Sequence, residues 1–283
     1  MAEPEASRLY LPPSMSELPH RLDAYMSCVI DAKTCEALTA TDFRARLSYS
    51  LQKWRQASRK GVWLILNAGQ AGFIPVAIEC GFEFHHARDG STLVLSLWLP
   101  RDEPNNLPPG ATHFLGVSGL VQRPDGKILV IREKSGPAAR AGIWKLPGGL
   151  ASKREFIEKA VVREIKEEVG ILCEFVALVS IMHLKPRRRN VSRGGASDLF
   201  CTCLLRTKET NPNLVLQESE IADAKWIEKE ELLESGIYGL KGSAWRNSVE
   251  AAVAAGRDLS GLRFERVPIG FTKGKVSTLR SKL

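Results

Sequence analysis

The sequence predicts an α/β protein of two domains. Its 283 residues exceed the usual length of one domain. Four prolines, two asparagines and a glycine lie between Leu99 and His113, a composition typical of a linker. On both sides of that segment, apolar runs typical of strands alternate with helical patterns. We expect a first domain over 1–105, a second over 106–245 and a C-terminal extension over 246–283.

The first domain is expected to be the smaller α/β unit. Thr41 is expected to cap a helix whose apolar residues recur at helical spacing: Phe43, Leu47, Leu51 and Trp54. The run "GVWLILN" predicts a buried strand, and a short helix follows it. Asp89 and Gly90 then predict the turn of a β-hairpin.

The second domain is expected to contain a mixed sheet. Two apolar runs joined at the turn in "HFLGVSGLVQRPDGKILVIREK" predict a hairpin. The segments "ILCEFVALVSIMHL" and "SDLFCTCLLRTKE" predict further strands, and "EIADAKWIEKEELLESG" predicts a strand that runs into a helix. Because strands lie on both sides of a charged helical segment, we expect helices on both faces of the sheet.

That charged segment, "GGLASKREFIEKAVVREIKEEVG" from Gly148 to Gly170, gathers carboxylates on one helix face. Residues at i, i+3 and i+4 are neighbours on a helix, so Glu164, Glu167 and Glu168 converge and repel one another. Hard divalent cations are held by carboxylate oxygens, which predicts a metal cradle. The alternative is a solvated helix face, because Lys159 and Lys166 lie nearby.

The wider spacing favours the metal cradle. The segment matches the pattern G-x5-E-x7-R-E-U-x-E-E-x-G-U, where U is a bulky aliphatic residue, at every specified position: Gly149, Glu155, Arg163, Glu164, Ile165, Glu167, Glu168, Gly170 and Ile171. This pattern is the Nudix box, and with "KLPGG" before it and "ESEIADAKWIEKEEL" after it the chain resembles the Nudix hydrolase family over most of residues 111–240.

The resemblance implies an α/β/α sandwich that hydrolyses a diphosphate linked to a nucleoside. It implies that Mg²⁺ or Mn²⁺ is bound by Glu164, Glu167, Glu168 and a glycine carbonyl at Gly148 or Gly149. It implies that Glu155 and Arg163 form a charged pair that shapes the loop and the helix. The general base in this family is a box glutamate or a carboxylate on a distant loop, and Glu167 is our choice.

The first domain resembles the pre-Nudix region of plant-type cytosolic Nudix hydrolases and of the vertebrate homologue encoded antisense to a fibroblast growth factor. The most telling part is "GFEFHHA", residues 81–87. That region is similar to an N-acetyltransferase fold. Residues 1–110 contain no pyrophosphate-binding Q/R-x-x-G-x-G/A loop, so acetyl transfer is not expected.

The substrate is expected to be a small nucleotide. Plant members with similar "SDLF" and "QESEI" segments are associated with NADH and ADP-ribose, and the chain lacks the four-cysteine zinc site of other NADH pyrophosphatases. Trp144 and Phe200 either stack on the base or pack in the core. The basic loop "KPRRRNVSRGGA" departs from the plant pattern, and its arginines either bind an extra phosphate or face solvent: Arg187, Arg188 and Arg189.

Three alternatives stay open at this point. The first is a coenzyme A or acyl-CoA diphosphatase, although the accessory signature of that group is missing before the box. The second is a Nudix-fold binding or regulatory module, which the complete set of carboxylates disfavours. The third is a decapping enzyme. The net charge of +8 suits a polyanion, yet no basic platform interleaved with aromatic residues is evident, so nucleic acid is not an expected partner.

Composition and the chain end predict the compartment. The six cysteines show no metal-binding or disulfide pattern, the start is not typical of a secretory signal, and no apolar run reaches the roughly eighteen residues of a membrane span. The terminal Ser281-Lys282-Leu283 matches the peroxisomal address, which implies a peroxisomal import receptor as partner. Without that address we expect a cytoplasmic protein. A homodimer is left open, since many relatives pair through their domains.

Overall fold

Two compact units make up the chain, Met1–Gly110 and Ala111–Leu283. The division falls inside the proline-rich segment 99–113. The computed structural model describes residues 16–185, 195–239, 241–258, 262–268 and 275–281. Within these ranges, no helix is both long enough and apolar enough to cross a membrane.

The first unit is a five-stranded sheet covered by helices. Its elements are β1 (Arg21–Leu22), β2 (Cys28–Ile30), α1 (Ala40–Gln56), β3 (Gly61–Asn67), α2 (Ile74–Glu79), β4 (Glu83–Arg88) and β5 (Thr92–Trp98), with strand order β1-β2-β3-β5-β4. The predicted apolar face of α1 is buried. The cap of α1 is Thr39, whose side chain accepts a hydrogen bond from the Asp42 amide, and the expectation of Thr41 was wrong.

The second unit contains a seven-stranded mixed sheet with the order β10-β7-β6-β9-β8-β11-β12. Its elements are β6 (His113–Gln122), β7 (Ile128–Glu133), α3 (Gly136–Arg140), α4 (Ile157–Val169), β8 (Glu174–Leu184), β9 (Ser197–Arg206), β10 (Ile221–Ile227), α5 (Lys229–Glu234), α6 (Ala244–Asp258), β11 (Leu262–Pro268) and β12 (Lys275–Ser281). The region 246–283, expected as an extension, therefore contributes most of α6 and two strands to this unit.

Two apolar layers lie on the two faces of this sheet. Val161 and Ile165 of α4 pack on one face in a cluster that includes Val117 and both Cys201 and Cys203. The other face carries a second cluster, in which Val249, Ala252 and Ala255 of α6 pack with Leu120, Val130 and Leu204. Alternate residues of the strands supply the two layers, as the two-residue period of a strand requires. The predicted α/β/α sandwich with a mixed sheet is confirmed.

The predicted hairpin of β6 and β7 forms only at its turn. These strands pair at Gln122 and Ile128 and then separate. The gap is filled by residues 145–149, the inserted segment, which precedes α4, the carboxylate helix. The Gly119 amide donates to the Pro147 carbonyl at 2.9 Å, and Lys145 forms a β-bridge with Ile131. Because this segment completes the hydrogen bonds of both strands, it is held between them.

Candidate active site on the carboxylate helix

The helix α4 is positioned by its apolar face. Ala160, Val161, Ile165 and Val169 are fully buried against the sheet, which turns the glutamates toward the inserted segment. The helix ends at Gly170, which has a φ of 75°. A Cβ at this position would lie 2.8 Å from the Cβ of Val215, so glycine is required both for the turn and for the packing.

Arg163 connects three glutamates. Its Nε and Nη2 donate to the two carboxylate oxygens of Glu155, each at 2.8 Å. Its Nη1 donates to Glu164 Oε1 and to Glu167 Oε2, again at 2.8 Å each. The hydrogen bonds from Arg163 hold the pKa of Glu155 below its usual range. The forked geometry is one that a guanidinium supplies and an ammonium does not.

Glu168 lies in a different environment from Glu155. It is 5% exposed, and its Oε2 accepts a hydrogen bond from the Gly148 amide at 2.8 Å. Burial raises the pKa of Glu168 to about 7, although the charge of Lys145 and the Gly148 hydrogen bond act in the opposite direction. Burial also raises the pKa of Glu164, against the effect of Arg163. At both carboxylates the effect of burial on the pKa therefore exceeds that of the nearby positive charge.

The backbone of Gly148 and Gly149 lies close to the Val117 carbonyl and to the Glu164 carboxylate. Gly148 has a φ of 143°, and a Cβ there would lie 2.2 Å from the Val117 carbonyl oxygen. A Cβ on Gly149 would lie 2.6 Å from Glu164 Oε2. Gly148 requires glycine because of its conformation and its close approach to the Val117 backbone, whereas a Cβ on Gly149 would displace the end of the Glu164 side chain.

The donor set fits a hard divalent cation. Carboxylate oxygens and backbone carbonyls are the ligands that Mg²⁺ and Mn²⁺ take, and a cation would compensate the buried charge of Glu164 and Glu168. In the part of the chain that the structure describes, no three His, Cys, Asp or Glu side chains are arranged to hold a metal ion. Arg163 occupies the position between Glu164 and Glu167, and the Gly149 carbonyl accepts from the Val117 amide at 2.9 Å. The metal ligands stay a prediction.

The two aromatic residues predicted to contact substrate lie in different surroundings. Trp144 is partly buried, and its ring has Lys225 Nζ at 4.8 Å and the Arg132 guanidinium at 5.4 Å from the centroid. Phe200 packs edge-on against Trp245 with ring centroids 5.0 Å apart. It also covers Gly116, where a Cβ would lie 2.6 Å from the Phe200 ring. The three predicted arginines of the basic loop, Arg187, Arg188 and Arg189, lie outside the described residues.

Sequence reasoning missed one ion pair beside Glu168. Lys145 Nζ lies 2.5 Å from Glu133 Oε1, with both side chains mostly buried. The charges of Lys145 and Glu133 act on the pKa of Glu168 in opposite directions. The position of Lys145 in "KLPGG", three residues before Gly148, was the available signal. Glu133 gave none, because it reaches the site only through the pairing of β7 with the inserted segment.

Comparison with known proteins agrees with this site. A Nudix hydrolase domain model matches residues 18–99, and a NUDIX domain model matches residues 112–243. Nudix hydrolase 6 of Arabidopsis thaliana is 31% identical over 245 residues, which cover 86% of this chain and 83% of that protein. The chain belongs to the Nudix hydrolase family. The prediction of a Nudix enzyme, and of a pre-Nudix domain before it, is confirmed at the level of the family.

Other relatives include plant and vertebrate Nudix proteins, as predicted. Nudix hydrolase 8 of Arabidopsis thaliana is 38% identical over 192 residues, covering 68% of this chain and 50% of that protein. Nucleoside diphosphate-linked moiety X motif 6 of Mus musculus is 36% identical over 200 residues, covering 70% of this chain and 61% of that protein. The chain thus spans half to three fifths of the length of these two relatives. Nudix hydrolases generally use divalent metal ions.

Proposed function

We propose that this Nudix hydrolase cleaves the diphosphate of NADH or ADP-ribose and releases AMP. One observation carries the proposal: the Glu164 side chain is 14% exposed, Glu168 is 5% exposed, and both lie against the Gly148–Gly149 backbone. Buried carboxylates whose nearby positive charge does not offset their burial are suited to bind a cation, and the cation in turn binds the anionic substrate. The choice of NADH or ADP-ribose is supported by the "SDLF" and "QESEI" segments.

In this proposal the glutamates of α4 bind the metal ion and position the attacking water. Glu164, Glu167 and Glu168 would hold Mg²⁺ or Mn²⁺, which supplies charge neutralisation on the phosphoryl oxygens and a bound water of lowered pKa. Glu167 is the proposed general base, because its side chain is 52% exposed and can meet a water. Arg163 Nη1 orients the Glu167 carboxylate at 2.8 Å. The water oxygen bonds to one phosphorus as the bridging P–O bond breaks, and the other phosphate leaves with the bridging oxygen. The proton from the water passes to a Glu167 carboxylate oxygen.

Other residues contribute to substrate binding in this proposal. Trp144 offers an indole ring for the adenine, beside the cations of Lys225 and Arg132, which can face the phosphates. Phe200 offers no free stacking face, because Trp245 and Gly116 already contact it. The basic-loop arginines are proposed to bind any additional phosphate.

A hydrolysis assay over a substrate panel tests the proposal. NADH, NADPH, ADP-ribose, coenzyme A, acyl-CoA and capped RNA are each incubated with Mg²⁺ or Mn²⁺, and the products are separated by chromatography. We expect AMP from NADH or ADP-ribose. Release of 3′,5′-ADP from coenzyme A would replace the proposal with the coenzyme A alternative. Ligand binding without hydrolysis of any substrate would indicate a binding module.

Glu167→Gln is the informative variant for this assay. We expect hydrolysis to fall by at least about 100-fold, because losing a ligand or base exceeds the usual effect of an outer contact. Thermal unfolding should change little, since the side chain is half exposed. Glu174→Gln is the matched control, because Glu174 is an exposed carboxylate at the start of β8, outside the box, and pairs with Lys208. A large loss of stability in Glu167→Gln would make this helix face structural.

The peroxisomal location is also a proposal, and it requires that Leu283 is the natural C-terminus. Ser281 is the last residue of β12 and pairs with Leu262, while 282–283 lie outside the described residues. A receptor that binds the final tripeptide needs it released from the sheet. Deleting 281–283 from a fluorescently tagged chain should move the signal from puncta to the cytosol. Unchanged puncta would refute the proposal.

A further inference from the structure

A pair of histidines lies outside the carboxylate helix on the same sheet. His113 begins β6 and His183 lies near the end of β8, and both strands pair with β9 between them. The register places His113 opposite Ser197 and His183 opposite Leu199. The two imidazoles meet across β9, with their Nε2 atoms 3.0 Å apart and their ring centroids 4.9 Å apart. Three hydrogen-bonded strands thus fix the pair.

The separation of the Nε2 atoms is close to that of a chelate. Two imidazole nitrogens bound to one tetrahedral zinc ion at about 2.0–2.1 Å are separated by roughly 3.3 Å. The observed 3.0 Å is a few tenths of an ångström shorter, and both rings are exposed, so either ring can turn to admit an ion. Both histidines line a cleft of about 340 Å³ that also contains Thr112 and Ser197, so the nitrogens are open to solvent.

A contact on the other ring nitrogen prepares His113 for this role. The Thr112 hydroxyl lies 2.8 Å from His113 Nδ1. When Nδ1–H donates to that oxygen, the proton is on Nδ1 and the Nε2 lone pair is available. Metal-binding histidines are usually oriented by such a hydrogen bond on the second nitrogen.

The other histidine pair of the protein lacks this availability. His85 and His86 face each other through Nδ1 at 2.5 Å. The Nε2 of His85 lies 2.8 Å from the Pro108 carbonyl oxygen, and the Nε2 of His86 accepts from Arg88 at 3.1 Å. The Nε2 atoms of His85 and His86 therefore already contact other groups. The Nε2 atoms of His113 and His183 contact each other.

From this geometry we propose that His113 and His183 form a site for a divalent transition-metal ion of the zinc type. Imidazole suits zinc, copper and nickel ions, whereas magnesium prefers oxygen ligands, so this site and the carboxylate helix select different metals. Among the described residues no third His, Cys, Asp or Glu joins the pair. The two histidines supply two ligands, and water or an anionic group completes the coordination.

The test is a Zn²⁺ titration of the full chain by isothermal calorimetry, with Mg²⁺ present in excess to occupy the carboxylate helix. We expect the wild type to bind one Zn²⁺ that His113→Ala and His183→Ala each weaken at least about 100-fold, since losing a ligand exceeds the loss caused by an outer contact. His20→Ala is the matched control, because His20 is exposed and contacts Trp54 in the first unit.

Long-range ¹H–¹⁵N spectra of the imidazoles identify the ligands directly. Addition of Zn²⁺ should shift the Nε2 resonances of His113 and His183 and leave those of His20 in place. Zn²⁺ binding that is equally tight in wild type, His113→Ala and His183→Ala would overturn the proposal. The absence of Zn²⁺ binding by the wild type in the presence of Mg²⁺ would overturn it as well. Neither result depends on hydrolytic activity, so the proposed hydrolysis stands or falls separately.

Discussion

Glu155 and Glu168 belong to one sequence pattern but lie in opposite environments. Glu155 accepts two hydrogen bonds from Arg163, which hold its pKa below the usual range. Glu168 is buried, has one backbone donor, and has its pKa raised to about 7. The pattern thus contains a carboxylate whose charge is compensated within the protein and another whose charge is not. The first stabilises the loop, and the second is suited to bind an added cation.

The largest effect is expected from adding a side chain at Gly148, whose amide donates to Glu168. In Gly148→Ala, the backbone φ at this position is unfavourable for alanine, and the new Cβ overlaps the Val117 carbonyl. We expect a loss of about 2–4 kcal/mol in the free energy of unfolding, measured by urea denaturation, together with the loss of hydrolysis.

Gly126→Ala is the matched control for Gly148→Ala. Gly126 has a φ of 91°, but a Cβ there meets no atom within 4 Å. It therefore measures the conformational cost alone, about 1 kcal/mol. Equal losses in the two variants would show that the close approach at Gly148 has no energetic weight.

A comparable effect is expected from pH acting on the metal-free chain. Because the folded pKa of Glu168 lies above the unfolded value of about 4.3, its contribution to stability is complete at low pH and is lost as pH rises toward 7. Glu168→Gln should remove this loss, so its stability relative to wild type should rise by roughly 2–3 kcal/mol between about pH 4.5 and 7.5. Urea denaturation in EDTA measures it.

Glu155→Gln should show the opposite dependence. The folded pKa of Glu155 is lowered, so its contribution is present above the unfolded pKa and is lost as pH falls through the folded value. The stability of Glu155→Gln relative to wild type should therefore fall as pH rises from the acidic range. The same slope in both variants would contradict the division between the two glutamates.

Arg163→Lys tests the Arg163–Glu155 pair, and we expect a moderate loss of stability. An ammonium cannot reproduce the two parallel hydrogen bonds to Glu155, so we expect a loss of about 1–3 kcal/mol in thermal or urea unfolding. Arg132→Lys is the control, because the Arg132–Asp223 pair is exposed and 3.7 Å apart. That change should stay within about 0.5 kcal/mol. If the two variants were equally stable, Arg163 would contribute charge and not geometry.

The smallest effect is expected outside the carboxylate helix. Replacing Arg187, Arg188 and Arg189 together by Ser should raise the KM for NADPH severalfold and leave kcat unchanged, because uniform binding to an extra phosphate affects KM alone. NADH, which lacks that phosphate, serves as the internal control. Equal kinetic constants for both substrates before and after the change would place the loop in solvent.

The carboxylate face was predictable because it depends on residue spacing within one helix. The sandwich was predictable because its strands and helices each show a local periodicity. Spacing places Glu164, Glu167 and Glu168 on one face, but it does not say that Glu168 is 5% exposed while Glu167 is half exposed. That difference depends on how α4 lies on the sheet, which is a tertiary property. The burial that raises the pKa of Glu168 was therefore not predictable.

Two further features depend on residues distant in sequence. The β6–β7 hairpin was predicted from a good turn, yet Gly119 and Val117 pair with Pro147 and Gly149, which a local pattern does not contain. His113 and His183 are 70 residues apart and meet only through their common neighbour β9. The Thr39 cap was a smaller error of two residues, within the usual uncertainty of helix ends.

The inserted segment between β6 and β7 is expected to open only when the sheet does. The amides of Val117 and Gly119 donate to Gly149 and Pro147 in the interior of the sheet, so this loop belongs to the same cooperative unit as the central strands. Opening it breaks the hydrogen bonds that also hold the core together. We expect amide exchange at Val117 and Gly119 to require unfolding of the whole unit, and the arrangement of Gly148 against Glu168 to persist up to the denaturant concentration at which that unit melts.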